Sequence, residues 1–356
     1  MFVLDSHCDT PSQILRLRDL AKDNDHAHVD FPKLRHGGVD GAFFALYIPA
    51  SLDHDSEAAF AYAERLYKGI VDTVNANGDK AAFATAAAEA QANRSKGLFS
   101  VFLGLENGSP IGTSLERVKH FHDMGVRYIT LCHTGNNEIC DSCAAKQKRW
   151  NGLSPFGREV VKEMNRLGML VDVSHISDEA FYDVLEYSDK PVVATHSCCR
   201  SLAGHPRNMT DDMIMALAAK GGVIQINFYP LFLDDGFPGV LEESGIMEWG
   251  EDIEVEFIAD PADDRKRAAW YAVQDELKKL PRPSYKMIVD HIDHVVDLVG
   301  IDHVGLGSDF DGIAVAPEGM EDASCFSRIF EEMRLRGYSE SDIEKVAGGN
   351  FFRLLA

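Results

Sequence analysis

No stretch of this 356-residue chain is both long and apolar enough to cross a bilayer. The opening residues, Met-Phe-Val-Leu-Asp-Ser-His-Cys-Asp-Thr, carry neither the basic segment nor the extended apolar core of a secretory leader. Positive charge is scarce too, with 35 Lys and Arg against 57 Asp and Glu and a formal net charge of −22. So anionic a surface repels phosphate backbones and acidic lipid, which argues against nucleic-acid and membrane partners. Cysteine is sparse: seven residues, an odd number, in a chain long enough to fold without cross-links. That suits reduced thiols and a cytoplasmic location. Cys140-Asp-Ser-Cys143 has redox-pair spacing, but with no second such pair it reads first as two free thiols in a loop. Short-period repeats and low-complexity tails are absent as well.

What is present is a soluble composition, 45% apolar and 26% charged, arranged as short apolar runs separated by segments of helical period. The runs are Phe2 to Leu4, Val39 to Pro49, Gly97 to Gly104, Val126 to Cys132, Gly168 to Val173, Pro191 to Thr195, Gly221 to Phe228 and His303 to Gly307. Among the helical segments, Ser56 to Asn77 places Ala59, Ala63, Leu66, Ile70 and Val74 on one face. Ser114 can cap a helix to Met124 that buries Leu115, Val118 and Phe121. Pro155 to Leu167, Ser177 to Tyr187, Thr210 to Lys220 and roughly Met287 to Val299 follow the same pattern, and alanine-rich Ala81 to Gln91 reads as helical. Eight strand-and-helix units predict an α/β fold, a (β/α)8 TIM barrel formed as one domain from residues 1–356. One stretch, 234–285, breaks the rhythm. It is acidic and rich in Gly and Pro up to Asp264, then amphipathic from Arg265 to Leu280. Falling between the seventh strand and its helix, it predicts an insertion over the top face, as a lid or a dimer contact.

The carboxyl ends of barrel strands are where such folds place chemistry. His7, Asp9, Glu106, His133, His175, His196 and Asp309 all fall there. His7 and Asp9, two apart on an extended chain, share a face. Five of these side chains exceed the needs of one tetrahedral zinc, so two ions bridged by Glu106 fit the count, with His7 and Asp9 on one and His175 and His196 on the other. Zinc suits the mixed donor set best, ahead of manganese, cobalt or iron. Two ions ~3.5–4 Å apart activate water at neutral pH, and Asp309 would move its proton to the leaving amine. Each residue alone has an ordinary explanation: a strand-end His making hydrogen bonds, a helix-capping Asp309 or Asp311 before Gly312, a turn Glu106 before Asn107-Gly108. Five such accidents at one end of one barrel make a poorer account.

The runs His7-Cys-Asp9, Gly104-Leu-Glu106-Asn-Gly, Leu131-Cys-His133, Asn151-Gly-Leu-Ser-Pro-Phe-Gly157, Asp172-Val-Ser-His175, Thr195-His196-Ser and Gly305-Leu-Gly-Ser-Asp309-Phe-Asp-Gly312 resemble those of the membrane (renal-type) dipeptidase family, zinc peptidases of the amidohydrolase superfamily. The resemblance implies a metal-dependent hydrolase barrel holding two Zn2+ per chain and cleaving dipeptides, L-Xaa-L-Xaa and L-Xaa-D-Xaa. It implies that His133 stabilises the tetrahedral intermediate, that Arg207, in His205-Pro-Arg-Asn208, binds the substrate carboxylate, and that Tyr229 touches substrate. A guanidinium suits a planar carboxylate, yet from the residues alone Arg207 reads as a surface cation. Such relatives are commonly homodimers. The signal, anchor and disulfides of the secreted mammalian members are not evident, and Cys8 and Cys132 put thiols beside the site, where they read as small buried apolar groups. Two rival readings stand. Lactonases, phosphotriesterase-like enzymes and deaminases usually open with His-x-His and often bridge through a carboxylated lysine, unlike His-x-Asp and Glu106 here. A non-catalytic metal-binding barrel is opposed by Asp309, His133 and Arg207.

Overall fold

The computed structural model describes residues 1–355. Nine strands occur: β1 (Leu4–Cys8), β2 (Gly41–Tyr47), β3 (Ala81–Phe83), β4 (Phe99–Glu106), β5 (Val126–Thr130), β6 (Leu170–Asp172), β7 (Val193–Ser197), β8 (Val223–Ile226) and β9 (Val304–Leu306). Eight pair in parallel in the order β1-β2-β4-β5-β6-β7-β8-β9. The ring is completed by a parallel bridge between Cys8 and Phe310. There the Asp9 N–H donates to the Phe310 carbonyl at 2.8 Å, and the Asp309 N–H to the His7 carbonyl at 3.0 Å. The predicted α/β barrel is therefore the observed one.

Apolar runs without alternation are what a strand buried on both faces requires, and all eight residues of β4 are buried. Inside the ring, Phe43 stacks on Phe102 at 4.9 Å and meets Tyr128 at 5.1 Å, while Phe351 from the C-terminal helix closes on Phe43 at 5.0 Å. This plug fills the lower barrel and leaves polar groups for the other end. Outside the ring, helix Ser56–Ala76 buries the predicted stripe of Ala59, Ala63, Leu66, Ile70 and Val74, and Asp55 caps it by accepting from the Ala58 N–H.

Several local expectations are corrected. Ala81–Phe83 is a strand, paired with Phe99–Val101, and its helix begins only at Ala87; ladder hydrogen bonds to β4 outweigh alanine's helix preference. Ser114 occupies a cap position without making a cap hydrogen bond. The polar stretch after β1 contains the helix Thr10–Leu15. In the insertion, Phe237–Ser244 and Ile246–Ala259 are helices ahead of the expected one, observed as Asp264–Lys278. Pro238 sits in a first turn and Gly245, at φ 63°, ends one helix before the next, so residues that signalled a loop are helix punctuation. Phe237, Ile246, Phe257, Trp270, Val273 and Leu277 gather with Val315 into an apolar cluster of their own. No described helix is long and apolar enough to cross a membrane, and all seven cysteines are free thiols.

Fully buried His291 ties helix Lys286–Val299 to the loops above it. Its Nδ1 accepts from the Cys199 N–H at 3.1 Å, and its Nε2 lies 3.2 Å from the Leu233 carbonyl. Burial pushes its imidazole down to about 4. A depressed histidine pKa means that the unfolded chain takes up the proton first. This residue's stabilisation is thus intact above ~6.5 and lost as pH falls from there toward 4. His291→Gln removes that titration, so urea unfolding at pH 7 and pH 5 is expected to show a loss of stability smaller by about 2 kcal/mol in the variant. Equal losses in both proteins would assign the pH dependence elsewhere.

Candidate metal centre

The ligand candidates meet because each is carried at the carboxyl end of its strand. His7 lies on β1, Glu106 ends β4 and His196 lies on β7, while Asp9 immediately follows β1 and His175 and Asp309 sit in the loops just beyond β6 and β9. His175 and Asp309 hold φ of 70° and 61°, a left-handed conformation costly for any side chain and maintained only where the surroundings insist. Hydrogen bonds supply that insistence: the Cys143 N–H donates to the His175 carbonyl at 2.9 Å, and Asn227 Nδ2 donates to Asp309 Oδ2 at 2.8 Å.

Glu106 stands in the middle and faces two ways. Its Oε2 is 3.4 Å from His7 Nε2. Its Oε1 is 3.1 Å from His175 Nε2 and 3.4 Å from His196 Nε2. Asp9 Oδ2 lies 3.6 Å from His7 Nε2, and Asp309 joins His7 and His196 in a further potential ligand group. The donor chemistry fits metal ions well. His7 Nε2 and Asp9 Oδ1 are buried without hydrogen-bond partners, and the Nε2 atoms of His175 and His196 point at each other at 2.9 Å. Ligating atoms converging in this way suit a metal ion. The expected sets, His7 with Asp9 and His175 with His196, are brought together on opposite oxygens of Glu106.

In the metal-free chain the electrostatics set His7 apart from the other two imidazoles. Burial alone would lower His7, but Glu106 and Asp9 outweigh it and hold the imidazole well above its ordinary value. Burial, then Arg207 and neighbouring imidazoles, keep His175 and His196 well below theirs, so both stay neutral and able to ligate. Burial and the Asp9 charge raise Asp309 to about 7.

Supporting groups escaped sequence reasoning. Tyr128 OH lies 2.8 Å from His7 Nδ1, directing Nε2 into the centre. Its ring reaches there across Gly104, where a Cβ would come within 2.2 Å of it. Buried Asp172 accepts from the Thr195 hydroxyl at 2.7 Å, and Thr195 Oγ1 lies 2.8 Å from His196 Nδ1, which sets the second imidazole in the same manner. Asp172 stood in the run Asp172-Val-Ser-His175 without a role assigned to it, and only period-two spacing in the run ending at Cys132 could have hinted at Tyr128.

The centre floors a cavity of about 470 Å3 whose wall includes His133, Arg207 and Tyr229. His133 is pushed down to about 3 by burial and then Arg207. Its Nε2 is 3.9 Å from Glu106 Oε1, and its ring meets Tyr47 edge-on at 4.9 Å. Arg207 is 6% exposed, which corrects the surface reading. Its Nη1 donates to Ser197 Oγ at 2.7 Å and its Nη2 to the His196 carbonyl at 2.6 Å, while its Nε has no partner. Cys143 also lines the cavity, whereas Cys140 is buried. A roomier groove, about 620 Å3, opens beside Phe31 and Phe99 at the strands' amino ends. No potential ligand group gathers there among the described residues, so chemistry and not size locates the site.

Over residues 1–356 the chain matches the family described as membrane dipeptidase, peptidase family M19. It is 31% identical over 350 residues to dipeptidase aclJ of Aspergillus oryzae, across 97% of this chain and 73% of that one. Among solved structures it is similar to the probable dipeptidase PvdM of Pseudomonas aeruginosa, with TM-score 0.82, 26% identity and coverage of 100% and 94% of the two chains. It is also similar to a metallo peptidase of Rhodobacter sphaeroides liganded with a phosphinate mimic of the dipeptide L-Ala-D-Ala, with TM-score 0.80, 25% identity and coverage of 100% and 98%.

Proposed function

The chain belongs to the membrane dipeptidase family, peptidase family M19, and from that premise we propose that it hydrolyses L-Xaa-L-Xaa and L-Xaa-D-Xaa dipeptides with two zinc ions held across Glu106. The observation that carries the proposal is Glu106 itself, whose Oε2 faces His7 and whose Oε1 faces His175 and His196, at 3.1 to 3.4 Å. His7 and Asp9 would hold one ion, His175 and His196 the other. Bound there, the pair supplies carbonyl polarisation and a lowered water pKa.

The chain's own groups do the rest. Asp309, pointed inward by its left-handed backbone, takes the attacking water's proton and passes it to the departing amine. Neutral His133 has one N–H to give the oxygen that gains charge in the tetrahedral intermediate. Arg207, with its Nε unpartnered, receives the terminal carboxylate, and Tyr229 bounds the cavity beside it. The D-residue tolerance is supported by the phosphinate ligand of the Rhodobacter sphaeroides relative.

A dipeptide panel assayed with zinc, against the same peptides amidated at the C-terminus, tests the proposal. Amidation is expected to lower kcat/KM about 10- to 100-fold, the worth of a charge-assisted hydrogen bond. Arg207→Met is expected to lower it equally for free peptides and to leave amidated ones little changed. Equal cleavage of both forms by the unaltered enzyme would remove Arg207 from carboxylate binding. No cleavage of any peptide would point to a non-catalytic barrel or to another amidohydrolase activity.

A further inference from the structure

The insertion encloses a second chamber that this chemistry does not use. It measures about 370 Å3 and lies between helices Ile246–Ala259 and Asp264–Lys278 on one side and the segments after β1 and β9 on the other. It adjoins the catalytic cavity, since Arg16, Tyr229, Glu254, Asp311 and Gly312 line both. At that common wall Arg16 Nη1 donates to Glu254 Oε1 at 3.1 Å.

The polar groups there are unevenly committed. Arg18 is engaged by Asp311 at 2.6 Å and Gln13 at 3.3 Å, and His26 by Asp275 at 3.1 Å. The His28 ring accepts from the Asp311 N–H at 3.0 Å and is kept neutral by burial, with its pKa at about 4. Arg16 keeps its Nε and Nη2 beyond the one bond to Glu254, and the other uncommitted groups are acceptors. Glu254 has a second oxygen beyond the one paired with Arg16, Glu251 lines the same wall, and Gln274 Oε1 is buried with no partner. Residues 234–264 carry twelve Asp and Glu and no Lys or Arg. Of these only Glu251 and Glu254 reach the chamber, and their free oxygens can take a cation.

Topology supplies the direction. Arg207 follows β7 and Arg16 follows β1, three strands apart in a ring of eight, so they face each other across most of the barrel mouth. A dipeptide whose carboxylate is on Arg207 and whose amide is over Glu106 extends its N-terminal residue toward Arg16. We propose that the chamber is the subsite for a long basic side chain on that residue, with Glu254 and Gln274 as its acceptors, and that Arg-Xaa and Lys-Xaa dipeptides are preferred substrates. This deepens the dipeptidase reading and rests on it.

The test is kcat/KM of the zinc-loaded enzyme for Arg-Ala, Lys-Ala, Glu-Ala, Ala-Ala and the reversed Ala-Arg. Arg-Ala and Lys-Ala are expected about tenfold or more above Ala-Ala, as a charge-assisted contact allows, with no such gain for Ala-Arg. Glu254→Gln is expected to lower the Arg-Ala to Ala-Ala ratio about tenfold and to raise the ratio for Glu-Ala, since Arg16 is released. Gln274→Met, similar in volume but without the acceptor, is expected to lower the basic ratio about threefold. Unchanged ratios in both variants, or a gain carried by Ala-Arg instead, overturn the inference. Cleavage of Ala-Ala without any basic preference overturns it alone, whereas failure to cleave every dipeptide overturns the underlying reading with it.

Discussion

Glu106→Gln is expected to bring the purified protein from two equivalents of zinc per chain to one or fewer, with activity lower on the order of 10³-fold or more. Glutamine keeps the shape of glutamate but replaces one acceptor oxygen with an amide donor. It cannot face His7 on one side and His175 with His196 on the other with a lone pair toward each. The substitution also removes an anion from a buried cluster that contains Asp9 and Asp309. The metal-free variant should unfold near the temperature of the metal-free parent, because relief of the like charges of Asp9 and Asp309 offsets loss of the Glu106 partner of His7. Elemental analysis and thermal unfolding together separate loss of metal from loss of fold. Two retained equivalents with undiminished turnover would show that Glu106 bridges nothing.

Asp309→Asn should give the opposite dissection, with both metals retained and kcat lower by about 10²- to 10⁴-fold, the range of a lost general base. Asparagine still offers an oxygen to Asn227 Nδ2, which donates to Asp309 at 2.8 Å, so the loop after β9 has reason to stay in place. The pH profile carries a second signature. A base must be ionised to work, so activity falls as pH drops through its pKa. Burial and Asp9 put Asp309 at about 7 in the metal-free chain, and nearby dications draw it lower. An acidic limb below pH 7 in the parent, missing from the variant's residual activity, is the expected pair of curves. Survival of both the limb and the rate would require another base, and Asp9 and Glu106, the other carboxylates beside His7, would be the groups to substitute next.

How much of this was legible before folding follows from where each signal resides. A strand buried on both faces must be continuously apolar, and where the run stops the chain has reached the barrel rim; both are local facts, which is why Glu106 after Phe99–Leu105 and His196 on Val193–Ser197 could be picked out by position alone. Alanine at 81 and 82 misled, because its helical preference is local while the residues that made it a strand, Phe99 and Ser100 of β4, lie well over a dozen positions away. The insertion misled differently. Pro238 and Gly245 look the same in a row of letters whether they break helices or bound them, and only the apolar cluster formed with Val315 decides.

The order of residues by itself determined the eightfold repetition, the end of the barrel at which chemistry sits, and the kinds of donor available there, since these depend on apolar run length and residue type alone. Tertiary structure decided which donors share an oxygen of Glu106, that Tyr128 and Asp172 set the imidazoles from behind, that Arg207 is buried in the wall, and that Arg16 meets Glu254 across 238 positions of chain. Those are matters of register and closure, and contacts between distant strands come into being only when the ring shuts.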